Sequence, residues 1–520
     1  MARQFLCSDA TTVATTKGKL RGCQQDGTYI FQGIKYADAK RFQMPQPVKA
    51  WEGVKDAMSY GYVCPLLDQD VPNGEIMVPH RYWPMNENCQ YLNIWTQSLD
   101  KGAKKPVMVW LHGGGFAAGS SIEQVAYDGE NMSKYGDVVV VSLNHRLNIL
   151  GYMNLSGYSE KYANSGNAGN ADMVAALRWI HENIEQFGGD PENVTLFGQS
   201  GGGMKVWTLM QTPEADGLFH KGIIQSGLLD GFIDSEKTDG TAIVEALLTE
   251  LGFDEGDVEK LEDVPYYELA AAYHKVSPKL AAAGEYIGGN PMPNEFYVGD
   301  PREVGFTDHA KTIPVMVGTA FGEFAFGPGV TNKYELEEAQ IIKLLTEKYG
   351  EYTEDMIPLF KKAYPDKNLS DLLFVDTFFR KPTIDFIAKK AAHSEAPTYS
   401  YMFAYEFPID GGKPAWHCSE IPFVFHNTDK VIVCNIPGVS DRLEECVFGA
   451  WVQFARYGRP DYIGLPQWPA CTPEDEATMI FDRTCEIRHN YDHALIEQIM
   501  KTNPQLPFFG APSEDEIMLH

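Results

Sequence analysis

The chain has 520 residues, of which 71 are acidic and 43 basic, and its formal net charge at pH 7 is −28. A field of that sign repels nucleic acids and anionic membrane surfaces, so neither is expected as a partner. Hydrophobic residues make up 44% of the chain, enough for a large core.

No composition break, low-complexity linker or internal repeat divides the chain, so we expect a single domain over residues 1–520. The sequence contains no apolar run long enough to span a membrane and no apolar core of signal-peptide length near its start. We therefore expect a cytoplasmic protein or one that has already been processed. Its nine cysteines show no zinc-ligand spacing, which argues against a metal site. Nothing in the sequence indicates the oligomeric state.

The first predicted element is an antiparallel hairpin between residues 18–22 and 28–34. A buried strand at 106–111 (PVMVWL) then leads into HGGGF at 112–116. Three consecutive glycines after a strand form a loop of bare amides. Such a loop can donate hydrogen bonds to a substrate oxygen that becomes negatively charged.

A continuous apolar strand at 137–143 and an amphipathic helix at 171–187 precede a strand at 193–197. This order implies parallel pairing through a right-handed crossover, and hence an α/β protein with a mostly parallel sheet. Residues 313–318 and 399–403 are later strand candidates.

Two segments between the later strands are helical and irregular. They lie near residues 228–312 and 335–395. Open α/β folds bind ligands at the carboxyl ends of their strands. We expect both segments to be cap insertions over that edge, and we expect substrate selectivity to depend on them.

The strand at 193–197 runs into GQSGG at 198–202, the G-x-S-x-G pattern of a nucleophile elbow. Such a turn presents its serine, here Ser200, at the N-terminus of a helix, where unpaired N–H groups favour negative charge. In this interpretation the amides of Gly114, Gly115 and Gly201 form an oxyanion hole.

A serine nucleophile needs a base, and the base needs an acid that orients it. In α/β hydrolases the chain order is serine, then acid, then histidine. Glu323 and His417 each follow a predicted strand in that order. Competitors of His417 for the role of base also lie downstream of Glu323, and they are His393, His426, His489 and His493. A metal site at His417 and Glu420 would need further ligands, and none is apparent.

Several stretches together resemble the type-B carboxylesterase family, which includes bacterial para-nitrobenzyl esterases, cholinesterases and catalytically inactive neuroligins. The matching stretches are FQGIKYA at 31–37, ENCQYLNIW at 87–95, NHRL at 144–147, GNAGNAD at 166–172 and FGGDP at 187–191. The similarity runs from about Gly18 to His426, with a weaker match around 447–460. It implies an α/β-hydrolase fold with a mostly parallel central sheet, helices on both faces and helical caps.

The resemblance also implies roles for single residues: a triad of Ser200, Glu323 and His417, and an oxyanion hole of Gly114, Gly115 and Gly201. Ser226 matches a serine that hydrogen-bonds near the acid in relatives, and Arg146 with Asp172 resembles a structural pair. Cys64 and Cys89 match a disulfide of secreted relatives, and the sequence leaves their oxidation state open.

Two residues depart from the GESAG elbow that is usual in the family. Gln199 removes a negative charge beside the nucleophile, which argues against cationic choline esters. Gly201 lacks the methyl group of alanine, so we expect a less restrained loop.

The predicted function is hydrolysis of small carboxylic esters through an acyl-enzyme, without a cofactor or metal. A lipase, thioesterase or amidase on the same triad, or a non-catalytic neuroligin-like binding protein, is the alternative. Candidates for lining the acyl and alcohol pockets, each of which could equally be a core residue, are Phe116, Trp207, Leu228, Phe232, Phe321 and Trp416.

Overall fold

A computed structural model describes residues 4–67, 80–231, 238–326, 329–330 and 332–504. The pocket candidate Phe232 lies outside these residues. Within them, no helix combines the length and the apolar character needed to cross a membrane.

The strands of the described residues are, in chain order, β1 (Phe5–Leu6), β2 (Thr12–Ala14), β3 (Lys19–Arg21), β4 (Cys23–Gln25), β5 (Thr28–Lys35), β6 (Ala37–Asp38), β7 (Gln46–Pro47), β8 (Val54–Asp56), β9 (Tyr91–Thr96), β10 (Lys105–Leu111), β11 (Val139–Leu143), β12 (Gly189–Gln199), β13 (Lys221–Gln225), β14 (Val315–Ala320), β15 (Thr398–Phe403), β16 (Ala477–Phe481) and β17 (Glu486–His489).

The α-helices are α1 (Gly129–Gly136), α2 (Asn148–Tyr152), α3 (Ala168–Asn183), α4 (Gly201–Met210), α5 (Thr241–Glu250), α6 (Tyr266–Ala282), α7 (Pro301–Val304), α8 (Asp308–Thr312), α9 (Glu338–Tyr349), α10 (Thr353–Ala363), α11 (Arg380–His393), α12 (Ile421–Val424), α13 (Ser440–Tyr457) and α14 (His493–Met500). Short 3₁₀ helices lie at Asp9–Thr11, Lys101–Ala103, Val125–Tyr127, Glu160–Tyr162, Ser165–Asn167, Ile184–Phe187, Pro213–Ala215, Glu255–Glu262, Gly350–Tyr352, Leu369–Phe374 and Thr428–Lys430.

The main sheet has the strand order β1-β4-β5-β9-β11-β10-β12-β13-β14-β15-β16-β17. Its centre, from β11 to β16, is parallel throughout, and the strands at both ends pair antiparallel. The central strands are apolar runs because a parallel sheet is covered on both faces. All five residues of β11, for example, are buried. The predicted mostly parallel sheet is confirmed.

Alternate residues of β10 enter two separate hydrophobic cores. Val107 and Val109 belong to a core that includes side chains of α3, α4 and α11, whereas Met108 and Trp110 belong to one that includes side chains of α1 and α13. Successive side chains of a strand point to opposite faces. Helices therefore cover both faces of the sheet, as predicted.

Four parallel strands bring the predicted site residues to one edge of the sheet. The strand β10 ends where the glycine loop (residues 112–116) begins, and β12 ends at the residue before Ser200. Glu323 follows β14 by three residues, and β15 precedes the segment that carries His417. Because parallel strands end at the same edge, these segments meet there.

Two expectations about strand partners were wrong. Strand β3 does not form a hairpin with β5; it lies in a small separate sheet between β2 and β8, and β4 is the hairpin partner of β5. Residues 26–27 form the turn, and the strand directly before that turn is β4 (residues 23–25). Therefore β4, and not β3, pairs with β5. In addition, β10 lies between β11 and β12, so these two strands are parallel but not neighbours.

The two predicted insertions contain helices. The first contains α5 to α8, and the second contains α9 to α11. Helix α11 packs Phe386 and Ile387 into the core beside the sheet. That these segments cap the site, and that the whole chain is one domain, stay predictions.

Candidate active site

Ser200 lies in a strained turn between β12 and α4. Its φ of 57° and ψ of −125° are rare for a residue with a side chain, and strain of this kind is typical of functional sites. The Ser200 amide donates a hydrogen bond of 2.8 Å to the Gln225 carbonyl, which ties the turn to β13. A Cβ atom on Gly202 would lie 1.9 Å from the Leu111 carbonyl oxygen. Glycine is therefore required for the elbow to pack against the end of β10.

The glycine loop adopts conformations that favour glycine, with φ of 84° at Gly114 and 61° at Gly115. Gly114 is exposed and Gly115 half-buried. Within the described part of the chain, the amides of Gly114, Gly115 and Gly201 donate no hydrogen bond to another residue. Unpaired amides beside a nucleophilic serine are the arrangement that stabilises an oxyanion.

Gly201 is where the elbow and the glycine loop meet. A Cβ atom on Gly201 would lie 2.3 Å from both the nitrogen and the oxygen of Gly115. Relatives have an alanine at this position, and here the backbone of the glycine loop fills the space that its methyl group would occupy. This differs from the expected looser loop, because the missing methyl group allows direct packing instead of leaving free space.

Glu323 is fully buried, and three groups hydrogen-bond to it. Its Oε1 atom accepts hydrogen bonds from the Ser226 hydroxyl at 2.6 Å and from the Ala320 amide at 2.7 Å. Its Oε2 atom lies 2.5 Å from Nδ1 of His417. A buried carboxylate needs such partners, since an unpaired one would be costly. The contact also assigns the proton of the neutral imidazole to Nδ1 and leaves Nε2 able to accept a proton.

The ring of His417 is buried and held from several sides. The Phe379 ring stacks on it, with centroids 5.0 Å apart and an angle of 24°. Burial alone would lower the pKa of His417, but the charge and the hydrogen bond of Glu323 outweigh burial and raise the pKa above its ordinary value. The side chain is therefore a stronger base than a free imidazole.

Gln199, the residue before Ser200, contacts the imidazole ring of His417. Its amide nitrogen lies 3.3 Å from both ring nitrogens. An atom equally distant from both nitrogens lies over the ring face and not along a lone pair. The Gln199 amide oxygen accepts a hydrogen bond of 3.0 Å from the Cys418 thiol. Among the described residues, no hydrogen bond joins the Ser200 hydroxyl to His417.

Two further acids lie close to Glu323. Burial, followed by the charge of Glu323, raises the pKa of Asp376 and that of Glu420 to about 7. Asp376 accepts hydrogen bonds from three consecutive amides, 378 to 380, and so fixes the loop that carries Phe379. Sequence reasoning did not identify Asp376, Phe379 or Cys418 as part of the site. Apart from the adjacency of Cys418 to His417, no local signal marks them.

The rival histidines have other surroundings. His426 lies 3.7 Å from Glu444, His489 is 2.9 Å from Asp475, and His493 is 2.6 Å from Glu476. His393 is exposed at the end of α11. None of the four contacts Glu323 within the described structure.

The pocket candidates that the structure describes are buried. Their exposed fractions are 2% or less, and they are Phe116, Trp207, Leu228, Phe321 and Trp416. A side chain that lines an open pocket exposes part of its surface. Their burial therefore favours core packing over a lining role.

One cluster of potential metal ligands occurs among the described residues, formed by Glu476, Asp492 and His493. The Arg380 guanidinium occupies it, with nitrogen to oxygen distances of 2.8 Å to Glu476 and 2.7 Å to Asp492. An arginine so placed supplies the positive charge that a metal would bring.

The structure also describes the two residue pairs that the family resemblance suggests. The guanidinium of Arg146 forms two hydrogen bonds, of 2.8 and 2.7 Å, with the buried carboxylate of Asp172. Cys64 and Cys89 are buried free thiols in this structure, and the Cys64 sulfur accepts a hydrogen bond from the Leu147 amide.

The sheet, the strained serine turn after β12 and the buried carboxylate and imidazole after β14 and β15 define an α/β-hydrolase. The carboxylesterase family model matches residues 9–498. The chain belongs to this carboxylesterase family and is a carboxylic ester hydrolase.

Known relatives cover nearly the whole chain. The para-nitrobenzyl esterase of Bacillus subtilis (strain 168) is 32% identical, over 92% of this chain and 96% of its own. The phenmedipham hydrolase of Pseudarthrobacter oxydans is 33% identical, over 90% of this chain and 94% of its own. Among solved structures, an esterase from anaerobic Clostridium hathewayi that can hydrolyze aliphatic aromatic polyesters is 57% identical, with a TM-score of 0.94. It covers 96% of this chain and 100% of its own.

Proposed function

We propose that the chain hydrolyses carboxylic esters through an acyl-enzyme, with Ser200 as nucleophile, His417 as general base and Glu323 as the acid that orients it. The hydrogen bond of 2.5 Å between Glu323 and Nδ1 of His417 carries the proposal. This contact leaves Nε2 of His417 able to accept a proton, and Ser200 is held in a strained turn directly after Gln199, whose amide contacts the same ring.

The chemistry follows from these roles. Ser200 attacks the ester carbonyl while Nε2 of His417 accepts its proton, and the imidazolium returns that proton to the leaving alcohol. Water then attacks the acyl-enzyme by the same route. In both steps the amides of Gly114, Gly115 and Gly201 bind the negatively charged oxygen, at about 2.7–4 kcal/mol for each donor.

The contact between Ser200 and His417 has to form for this cycle to begin. In the structure the Gln199 amide nitrogen lies over the imidazole. Hydrogen bonds between catalytic groups are often long or poorly aligned before a substrate binds. We propose that the Ser200 hydroxyl turns toward Nε2 of His417 when an ester enters the site.

The uncharged Gln199 beside the nucleophile favours neutral esters over cationic ones. The related Clostridium hathewayi esterase can hydrolyze aliphatic aromatic polyesters, and its 57% identity over 96% of this chain supports ester bonds between aromatic acids and aliphatic alcohols as substrates here. We further propose that the segments 228–312 and 335–395 set this preference as caps of a single domain.

Loss of the nucleophile tests the triad. Ser200→Ala is expected to abolish hydrolysis of para-nitrophenyl acetate and labelling by a fluorophosphonate, whereas the exposed Ser156→Ala variant keeps both. Mass spectrometry should place the label on Ser200. A label on another residue, or an active Ser200→Ala variant, would contradict the proposal.

A substrate series tests the ester class. Benzoate and terephthalate esters of short diols are expected to be cleaved faster than matched thioesters and amides. Maximal activity on long acyl chains at an oil interface would indicate a lipase instead. Faster cleavage of the thioesters or amides would indicate a thioesterase or an amidase.

A further inference from the structure

Lys205 is a lysine with no exposed surface, four residues after the first residue of α4. Placing an ammonium group in a protein interior is costly unless specific partners hold it. Its position near the N-terminus of the helix adds to that cost, because the helix dipole there favours negative charge. The contacts of Lys205 therefore need an explanation.

The ammonium group of Lys205 contacts both ends of the glycine loop. Its Nζ atom donates a hydrogen bond of 2.8 Å to the carbonyl oxygen of His112, the residue before the three glycines. The same atom lies 5.9 Å from the ring centroid of Phe116, the residue after them. One side chain of α4 thus connects the helix that follows Ser200 to the whole loop.

The surroundings of Lys205 contain one acid and two imidazoles. Burial lowers the pKa of Lys205 to about 7, and the charge of Glu123 acts in the opposite direction. Burial raises the pKa of Glu123 to about 7, against the charge of Lys205. Burial, followed by the charge of Lys205, holds the pKa values of His112 and His145 well below the ordinary range, so both rings are neutral.

The glycine loop is held at other points as well: the Gly114 carbonyl oxygen accepts hydrogen bonds from the Ala117 and Ala118 amides at 3.2 and 2.9 Å, and the Phe116 carbonyl oxygen accepts one of 2.7 Å from the Asn148 amide. Gly114 and Gly115 lack side chains, and their positive φ angles are accessible to glycine without penalty. The His112 ring bonds to the loop, with Nδ1 2.9 Å from the Gly113 carbonyl oxygen. An amide donor must lie within about 2.7–3.1 Å of the oxyanion to stabilise it, so the loop must be held in place.

We propose that Lys205 is a positioning residue that holds the glycine loop against α4 and thereby keeps the oxyanion amides in register with Ser200. The proposal rests on the oxyanion hole of the proposed function. Lys205 does not touch the reacting atoms; it acts through the His112 carbonyl and the Phe116 ring.

The chain offers a matched control in Lys390 of α11. This lysine is also without exposed surface, donates a hydrogen bond of 3.0 Å to the carbonyl oxygen of Ile313, and lies 5.6 Å from the ring centroid of Phe306. Burial lowers its pKa to about 7 as well. Ile313 precedes the amino end of β14, whereas the site residues lie at the carboxyl ends of the strands, so the loss of Lys390 reports the general cost of removing a buried lysine away from the site.

The experiment compares Lys205→Met and Lys390→Met, since methionine has a similar volume but no charge. Activity on para-nitrophenyl acetate gives kcat and KM. The inhibition constant of a trifluoromethyl ketone, which forms a negatively charged adduct with the serine, reports the oxyanion hole. Hydrogen exchange of peptides that cover residues 112–118 reports the order of the loop without requiring catalysis.

Lys205→Met is expected to lower kcat by about 10- to 100-fold, to weaken ketone inhibition by a similar factor, and to leave KM within about threefold. Exchange in residues 112–118 should increase. Lys390→Met is expected to keep kcat within about twofold of the parent while lowering the melting temperature comparably.

Parent-like kcat, ketone inhibition and loop exchange in Lys205→Met would overturn the proposal, and so would equal losses of kcat in both lysine variants. If Lys205→Met does not fold, Lys205→Gln is measured, because its shorter amide cannot keep both contacts. Parent-like values in that variant contradict the proposal equally. An active Ser200→Ala variant would instead refute the proposed triad, whatever the loop exchange of the Lys205 variants.

Discussion

The contact between Gly201 and Gly115 gives a prediction whose size follows from the structure. In Gly201→Ala, the new Cβ atom would lie 2.3 Å from the Gly115 nitrogen. Ordinary contacts of a carbon atom are about 3.5–4.0 Å, so the loop must retreat by about 1 Å or more. The Gly115 amide is a proposed oxyanion donor, and a displacement of that size removes its hydrogen bond to the transition state.

Loss of one oxyanion donor costs about 2.7–4 kcal/mol, so kcat of Gly201→Ala is expected to fall about 100- to 1000-fold. KM should change little, because the donor acts mainly on the transition state. The assay is steady-state hydrolysis of para-nitrophenyl acetate, together with the melting temperature to establish folding.

Gly157→Ala serves as the control, since a Cβ atom there meets nothing within 4 Å. It should keep the parent activity. A folded Gly201→Ala variant with kcat within about threefold of the parent would refute the reasoning. Such a result would mean that the loop can accept the alanine of its relatives without moving its donors.

Further predictions concern the charges of the site and of the core. The proposed general base is neutral His417, and Glu323 raises its pKa against the opposing effect of burial, so kcat/KM should fall as the pH drops through a value above 6.5. An acid limb below 6 would contradict this. Gln199→Glu places a carboxylate over the imidazole and should shift that limb to higher pH, whereas an unshifted profile would show that the side chain points elsewhere. Ser226→Ala removes the 2.6 Å hydrogen bond to Glu323 and should lower the unfolding free energy by about 1.5–3 kcal/mol. Denaturant titration measures this change, and a loss smaller than about 0.5 kcal/mol would contradict the prediction. Arg380→Met leaves two buried carboxylates without their cation and should cost about 3–5 kcal/mol of unfolding free energy in the same assay at neutral pH. A stability equal to that of the parent would contradict this.

Features that impose a local requirement on the backbone can be predicted from the sequence. The elbow around Ser200 and the glycine loop need residues without a Cβ atom at fixed spacings, and an apolar strand must precede each of them. These requirements act over a few residues, so the amino-acid order alone determines them. The central strands are predicted for a related reason, since burial on both faces demands continuous apolar runs.

The acid and the base were predicted from their order along the chain and from their positions after strands. Glu323 and His417 are 94 residues apart in sequence and hydrogen-bonded in the structure. The parallel sheet accounts for this, because it gathers the carboxyl ends of distant strands at one edge. The order of residues could suggest the pair, but it could not supply the distance.

Other features depend on which segments pack together, and only the tertiary structure decided them. The amide of Gln199 lies over His417 and is held by Cys418, Phe379 stacks on the same ring, and Lys205 reaches both ends of the glycine loop. A buried lysine in an apolar helix looks like any surface lysine in a sequence. Its partners come from a loop that precedes the helix by nearly 90 residues. Close approach and burial are properties of the folded chain, since they depend on the relative placement of whole strands and helices and no pattern within a single segment encodes them.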